Sequence, residues 1–438
     1  MTYENIKTAL LTVLVALSGA LTWGIWTFQP NLETMENADT VNEVALSSKQ
    51  ELKKVVKPHQ VIYHYQGNDY GTMNNNDLDR VINELDKWKF YDVRNYSDRM
   101  AEFNEKVGRE GMAEIIFPDD IPVELYQKVL NFDDKELPRF EFDRILINVH
   151  TSGKQEGEVY FLSSKAKQAY ICHVNPAFIN EFNNEIYHNA DELPQYFQHQ
   201  LKNGRVVYLP EEKIEMAQYK YRTVQLDSEQ LKNALFKDPR FVQKSYSSGI
   251  EEYTDDTSKM TVNTNINMIE YINPLSDKES VSATSNAVQK SIDFVNGHSG
   301  WTGLYRFADR DDSDRAVTFR LYSKDGYPVF NPIGMSEIKQ VWGQTEINKY
   351  TRPGFQLQLQ LDTAEETIMS GREILEMLGQ QKDIKPEYLD DLTPGYYMRQ
   401  DSDNPSLIIL EPGWFYSYNN QWNELTTDGT GGAKSGLE

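Results

Sequence analysis

A single cysteine, Cys172, stands in 438 residues, so an intramolecular disulfide and any site built from paired cysteines are excluded. Positive charge is also scarce. The 44 Lys and Arg face 67 Asp and Glu, for a formal net charge of -23. Nucleic acid is excluded, because replacing counterions on phosphate needs a basic face, and tight adhesion to anionic lipid is disfavoured. No H-E-x-x-H, paired C-x-x-C, P-loop or G-x-G-x-x-G occurs, and the seven histidines form no ligand-spaced pair on an evident helix. No metal, cofactor or catalytic residue is therefore expected. Cys172 lies in Ala169-Tyr170-Ile171-Cys172-His173-Val174, a strand pattern, and reads as a small buried hydrophobe rather than a nucleophile.

Long hydrophobic runs are lacking too, with one exception. Thr8 to Phe28 carries no charge, and a spanning helix needs about 20 apolar residues. Trp23 and Trp26, with Phe28, lie at its C-terminal end, where aromatic rings anchor at the membrane interface. Lys7 flanks the other end, while Glu33, Glu36 and Asp39 follow. The asymmetry places a tail at 1–7 in the cytoplasm, a span at 8–28 and the body outside, in the cell membrane. A cleaved signal peptide is the competing reading, since Ser18, Gly19 and Ala20 are small, but apolar sequence continues past Ala20 and no lipobox cysteine is present. Large exported proteins without disulfides suit bacteria that do not rely on oxidative folding outside the cell.

Within the span, small residues recur every four positions: Thr8, Thr12, Ala16, Ala20 and Gly24. Thr12, Ala16, Ala20 and Gly24 thus form a candidate helix-packing face, because close approach drives association where lipid removes the hydrophobic effect. A homo-oligomer is one pairing that such a face leaves open.

The polar body, with a mean hydropathy of -0.63 for the whole chain, predicts an α+β ectodomain of antiparallel sheets packed with helices. A membrane-proximal tether is expected at 29–58, an N-terminal mixed domain at 59–138, a central domain at 139–275, a C-terminal domain at 276–425 and a disordered tail from 426. Leu78, Val81, Ile82, Leu85 and Trp88 take helical spacing, and so do Val281, Thr284, Val288, Ile292 and Val295 before Asn296-Gly297. Val317, Phe319 and Leu321 alternate with polar residues, and Asp325-Gly326 is expected to turn them into a hairpin with Tyr327 to Phe330. Phe355 to Leu361 alternates apolar with amide. Ser370 caps a helix with Glu373 reaching back.

Three signals invite enzyme or metal chemistry. Ser164-Lys165-Ala166-Lys167, Ser402-Asp403-Asn404 and Lys434-Ser435-Gly436 imitate the S-x-x-K, S-D-N and K-S-G sets of penicillin-binding proteins. Ser164, however, follows a strand instead of opening a helix, and K-S-G falls in a Gly-rich tail. Gly297-His298-Ser299-Gly300 misses the nucleophile-elbow spacing by one residue and reads as a helix-terminating loop. Asp309 to Asp314 fails the EF-hand pattern, with Asp314 where glycine is needed and Arg320 where glutamate should chelate, and reads as a solvated acidic turn.

Trp23-Gly24-Ile25-Trp26-Thr27-Phe28-Gln29-Pro30, Asp293-Phe294-Val295-Asn296-Gly297-His298, Thr318-Phe319-Arg320, Gly326-Tyr327-Pro328-Val329-Phe330, Val341-Trp342-Gly343 and Pro412-Gly413-Trp414-Phe415-Tyr416 occur in that order. In this the chain resembles the YycH (WalH) family, membrane-anchored accessories of the WalK/WalR (YycG/YycF) two-component system in low-GC Gram-positive bacteria. The resemblance implies a three-domain mixed ectodomain without known catalytic activity. It also implies two partners, the WalK (YycG) sensor histidine kinase and the companion YycI (WalI), with an adjusting role in signalling that governs cell-wall metabolism. The alternatives are a wall-polymer or peptide binding module and a serine cell-wall enzyme.

Overall fold

A computed structural model describes residues 18, 49–99, 107–150, 156–277, 287–298, 300–344, 346–381 and 384–426. The expected span with Thr12, Ala16, Ala20, Trp23, Gly24 and Trp26 lies outside them, save Ser18, which is helical and exposed. Lys434 and the rest of the tail from 427 lie outside as well. No helix of the described residues is long and apolar enough to cross a membrane.

The body from Glu43 to Glu438 is one compact unit built on three sheets. The first comprises β1 (Gln60–Tyr65), β2 (Asn68–Thr72), β3 (Lys89–Asn95), β4 (Met112–Pro122), β5 (Asn131–Phe132), β6 (Glu141–Asn148), β7 (Gly157–Ser163), β8 (Gln168–Val174), β9 (Gln195–Gln200) and β10 (Val206–Pro210). Their order is β10-β9-β2-β1-β4-β6-β7-β8-β3-β5. Next in the chain come β11 (Ile214–Gln225), β12 (Gln243–Ser247), β13 (Ile250–Thr254), β14 (Lys259–Asn263), β15 (Met268–Ile272), β16 (Tyr305–Asp311), β17 (Ala316–Leu321) and β18 (Val329–Phe330). β19 (Glu337–Trp342), β20 (Ile347–Pro353), β21 (Phe355–Ile368), β22 (Leu389–Gln400), β23 (Leu407–Tyr418) and β24 (Gln421–Leu425) complete the set. Eight strands run β12-β13-β14-β15-β20-β19-β17-β16, and six form β18-β22-β23-β11-β21 with β24 on β23.

This pairing crosses the expected domain boundaries. The line after Pro138 cuts the first sheet, because β4 and β6 are antiparallel neighbours. The line after 275 separates β15 from its partner β20 and β11 from β21 and β23. Charged and proline-rich stretches mark surface turns, whereas sheet membership is decided by pairing between distant strands. In the last residues of the expected tether a short helix, α1 (Leu52–Val55), ends at Val55, and both Val55 and Val56 are fully buried.

Helices pack where the apolar stripe demands. In α2 (Asn75–Leu85) Leu78, Val81, Ile82 and Leu85 are buried, and the Asn74 side chain accepts from Asn76 N at 2.9 Å as its cap. Trp88 lies past the helix end, fully buried, with Nε1 donating to Glu84 Oε1 at 3.1 Å. After α3 (Val123–Tyr126), α4 (Pro176–Glu185) and α5 (Ser228–Leu235), α6 (Ala287–His298) buries Val288, Ile292 and Val295. It continues through Gly297, and the left-handed residue that ends it is Gly300, at φ +68°, whose N–H bonds Val295 O at 2.7 Å. In α7 (Gly371–Gln380) the reciprocal Ser370/Glu373 capping box forms as expected, with Ser370 N donating to Glu373 Oε2 at 2.8 Å.

The expected hairpin across Asp325-Gly326 does not form. β17 pairs with β16 and β19 in the eight-stranded sheet, while β18 crosses to the six-stranded sheet and runs parallel to β22. One isolated bridge, Tyr322 with Pro328, is what remains of the hairpin. All six residues of β17 are buried, so its alternation separates two covered faces rather than core from water.

A polar cluster is buried inside the first sheet. His64 Nδ1 lies 2.6 Å from Asp69 Oδ1, and Nε2 lies 3.1 Å from Glu114 Oε1. Carboxylates only accept, so both ring nitrogens donate and the ring is an imidazolium. Arg144 Nη1 donates to Glu114 Oε2 at 3.0 Å and Tyr208 OH to Oε1 at 3.0 Å. Burial alone would lower the His64 pKa, but the two carboxylates outweigh it and raise it to about 9. Burial likewise opposes charge on Glu114, yet His64 and Arg144 hold it down at about 2.

Candidate functional site

Two irregularities in strands open a cleft where the three sheets approach one another. In β4 the register shifts between Ile116 and Ile121, which takes Asp119 out of the ladder; in β16 a shift between Phe307 and Asp309 does the same for Ala308, next to Asp309, which pairs with Thr318. Asp119 and Asp309 line a cleft of about 720 Å³, within the range of ligand sites. Lys165 reaches it from the turn between β7 and β8. Thr318 and Arg320 on β17, with Glu337 and Lys339 on β19, line it at i, i+2 spacing, so each pair shares one sheet face. β22, β23 and β24 supply the opposite wall.

That wall is aromatic. Phe330 stacks on Phe415 at 4.3 Å between centroids and lies 4.8 Å from Trp422. The Arg320 guanidinium sits 4.6 Å from the Phe330 ring centroid and 5.4 Å from that of Trp422, and donates from Nη2 to Glu337 Oε1 at 2.7 Å. Two more ion pairs cross the rim, Lys165 to Asp119 at 2.5 Å and Arg205 to Asp391 at 3.1 Å.

With those pairs cancelled, the cleft keeps a negative excess. Asp309 and Glu424 have no ion pair among the described residues. Burial, then Asp119, raises the pKa of Asp309, and burial, then Glu411, raises that of Glu424. His59 borders the cleft with Nδ1 buried and without a hydrogen-bond partner among the described residues, and burial lowers its pKa to about 4, leaving it neutral.

Among the described residues, the sequence signals for enzyme chemistry are engaged in local turns and caps. Ser164 sits in the β7–β8 turn with its N–H on Asp143 Oδ1 at 2.8 Å, and Lys165 is engaged by Asp119. Asp403 and Asn404 both donate backbone N–H to Asp401 Oδ1 in the β22–β23 turn. His298 ends α6, its Nδ1 at 2.8 Å from Phe294 O and its ring stacked on Phe294 at 4.0 Å; Ser299 is outside the described residues. Asp311 closes the acidic turn by accepting from the N–H groups of Ser313 and Asp314. Cys172 is fully buried, and burial raises its pKa.

Asp119, Glu424 and His59 were not singled out from sequence. One signal for Asp119 was present: Pro118-Asp119-Asp120 interrupts the apolar run from Ile115 to Ile121, the mark of a strand that bulges.

Mixed helices and largely antiparallel sheets sharing one body place the chain in the α+β class, with a polar cleft lined by strands of all three sheets. It belongs to the YycH family. The model of the YycH protein N-terminal domain matches residues 4–190, and that of the YycH protein C-terminal domain matches 204–429. A Bacillus subtilis relative described as "Two-component system WalR/WalK regulatory protein YycH" is 27% identical over 458 residues, covering 100% of both chains. The crystal structure of YycH from Bacillus subtilis superposes with a TM-score of 0.73 at 22% identity, over 88% of this chain and 99% of that one, and so shares the fold.

Proposed function

We propose that this chain is a membrane-anchored, extracytoplasmic and non-enzymatic regulator that contacts a WalK-type sensor histidine kinase together with a YycI-like companion, shifting the kinase between signalling states. The observation that carries this reading is the end-to-end match to a relative whose printed description is a two-component regulatory protein. The uncharged run at 8–28 supports an anchor, and Thr12, Ala16, Ala20 and Gly24 supply a close-packing face for a partner span. Regulation requires contacts that differ between the kinase states.

A photo-crosslinker placed at Leu21 of the full chain in cells tests the contact. Capture of the kinase is expected, and replacing Ala16, Ala20 and Gly24 by leucine should weaken co-purification while the body stays folded. Failure of the full chain to crosslink or co-purify with the kinase would overturn the reading. Unchanged association of the leucine variant would remove the span from the mechanism.

A further inference from the structure

The cleft has a property that the kinase reading does not use. Gln421, Trp422, Asn423 and Glu424 are four consecutive residues of β24, and all four line it. Trp422 and Glu424 share a sheet face with their β23 partners Ser417 and Phe415, which line the cleft too, and alternate residues point to opposite faces, so the contacts of Gln421 and Asn423 carry the cleft from that face round the strand's edge. Among the described residues β24 pairs on one side only, with β23. Its other edge therefore presents free backbone donors and acceptors to the cleft, which is what an added extended segment needs.

Charge selects what such a segment would carry. Lys165, Arg205 and Arg320 are each paired with a carboxylate, and among the described lining residues Asp309, Asp390 and Glu424 then stand without an ion pair against one such cation, Lys339. The side chains of Asp309 and Glu424 are accessible to solvent, and with their pKa values raised, a cation brought alongside would stabilise their charged forms. Trp422 and Tyr397 add half-buried aromatic surface beside them. The net charge of -23 draws positively charged ligands from a distance.

We propose that the cleft binds an extended basic peptide segment, added as a strand to the open edge of β24, with Lys or Arg side chains directed at the carboxylates of Asp309 and Glu424. Backbone bonds supply affinity and the two carboxylates supply selectivity. The site stands independently of kinase contact at the span.

The test uses the full chain in zwitterionic nanodiscs with a labelled, end-capped Val-Lys-Val-Lys-Val-Lys peptide, followed by fluorescence anisotropy. Saturable binding is expected, weakened about tenfold or more in the double variant D309N/E424Q. A Val-Glu repeat should not bind, and N-methylation of alternate backbone nitrogens should abolish binding by blocking the edge. Absence of saturable binding, or equal binding by D309N/E424Q with its fold verified by circular dichroism, would overturn the site. Tight binding of spermine, or of the N-methylated peptide, at the same carboxylates would replace the peptide by a free amine. Crosslinking at Leu21 is unaffected by any of these results.

Discussion

Asn296, at the end of α6, holds the backbone of Gln50 from both sides. Its Oδ1 accepts from Gln50 N at 2.9 Å and its Nδ2 donates to Gln50 O at 3.1 Å. Trp301 Nε1 donates to the same Oδ1 at 2.7 Å. One side chain in the C-terminal half of the body thus mimics a β-ladder partner for the chain that leads up from the N-terminus. Residues around 50 and 300 become one mechanical element, and α1 continues directly from the clasp.

Replacing Asn296 by alanine should cost about 1–2 kcal/mol, since two backbone groups and an indole N–H lose their partner but Gln50 remains open to water. Urea unfolding reads the loss. Hydrogen exchange should localise it to residues 50–56, and an unchanged exchange pattern there would show that the clasp does not order this segment.

The buried cluster of the first sheet predicts a larger effect. Glu114→Gln leaves the charges of His64 and Arg144 without their shared carboxylate, and breaking a buried pair from one side costs about 3–5 kcal/mol. Replacing Arg144 and Glu114 together by methionine and leucine should be far milder. Denaturant midpoints of the two variants provide the comparison.

The same cluster gives stability a pH dependence with a defined sign. The pKa of His64 is raised from 6.5 to about 9, so its contribution is full below 6.5 and is lost as pH climbs through 9. Glu114 is lowered from 4.5 to about 2, so its contribution is full above 4.5 and is lost on falling through 2. His59, buried neutral with a pKa lowered to about 4, instead loses stability as pH falls below 6.5. Subtracting the melting curve of His64→Gln from that of the parent isolates His64, and the difference should shrink steadily between pH 6.5 and 9.

Local structure was legible where one residue's chemistry decided it. Ser370 with Glu373 announced a capping box, and Leu78 to Leu85 announced a helix. The α+β class followed from such pieces. What stayed hidden depends on partners far away in sequence. Nothing in Glu141 to Asn148 says that β6 lies beside β4 rather than opening a new domain, because pairing rewards any strand of matching pattern. The cleft was hidden for the same reason, with walls from β4, β17, β19 and β22 to β24. The 14-residue β21 is a further case. Its leucines at 359 and 361 are about half exposed, 54% and 49%, on an outer strand whose regular alternation suggested a covered face.

Cys172 offers a sharp chemical check on the packing of β8. Its side chain is fully buried, with Sγ 3.5 Å from Val159 O, and burial followed by the Asp134 charge raises its pKa. A thiol reagent such as iodoacetamide should label the native protein negligibly at pH 8 and label it fully in denaturant. Prompt labelling without denaturant would place Cys172 at a surface instead of between β7 and the core.

The crossing between the two C-terminal sheets hinges on Gly326, at φ +100°. A Cβ there would fall 1.9 Å from the backbone oxygen of Met73. The contact is fixed from the other side, because Asn75 Nδ2 donates to Ser323 O at 3.2 Å and to Lys324 O at 2.7 Å. Tyr219 OH is also bonded to Asp325, so the turn touches the first sheet's helix α2 and β11 at once. Gly326→Ala combines left-handed backbone strain with a clash against main chain that cannot rotate away, and should cost about 2–4 kcal/mol. Because the turn sends β18 to β22 and away from β17, the damage should extend to the cleft wall at Phe330. Thermal unfolding measures the cost, and weakened binding of the Val-Lys peptide at temperatures where the variant is still folded measures the displacement. A variant as stable as the parent would mean that the turn docks on α2 without close contact.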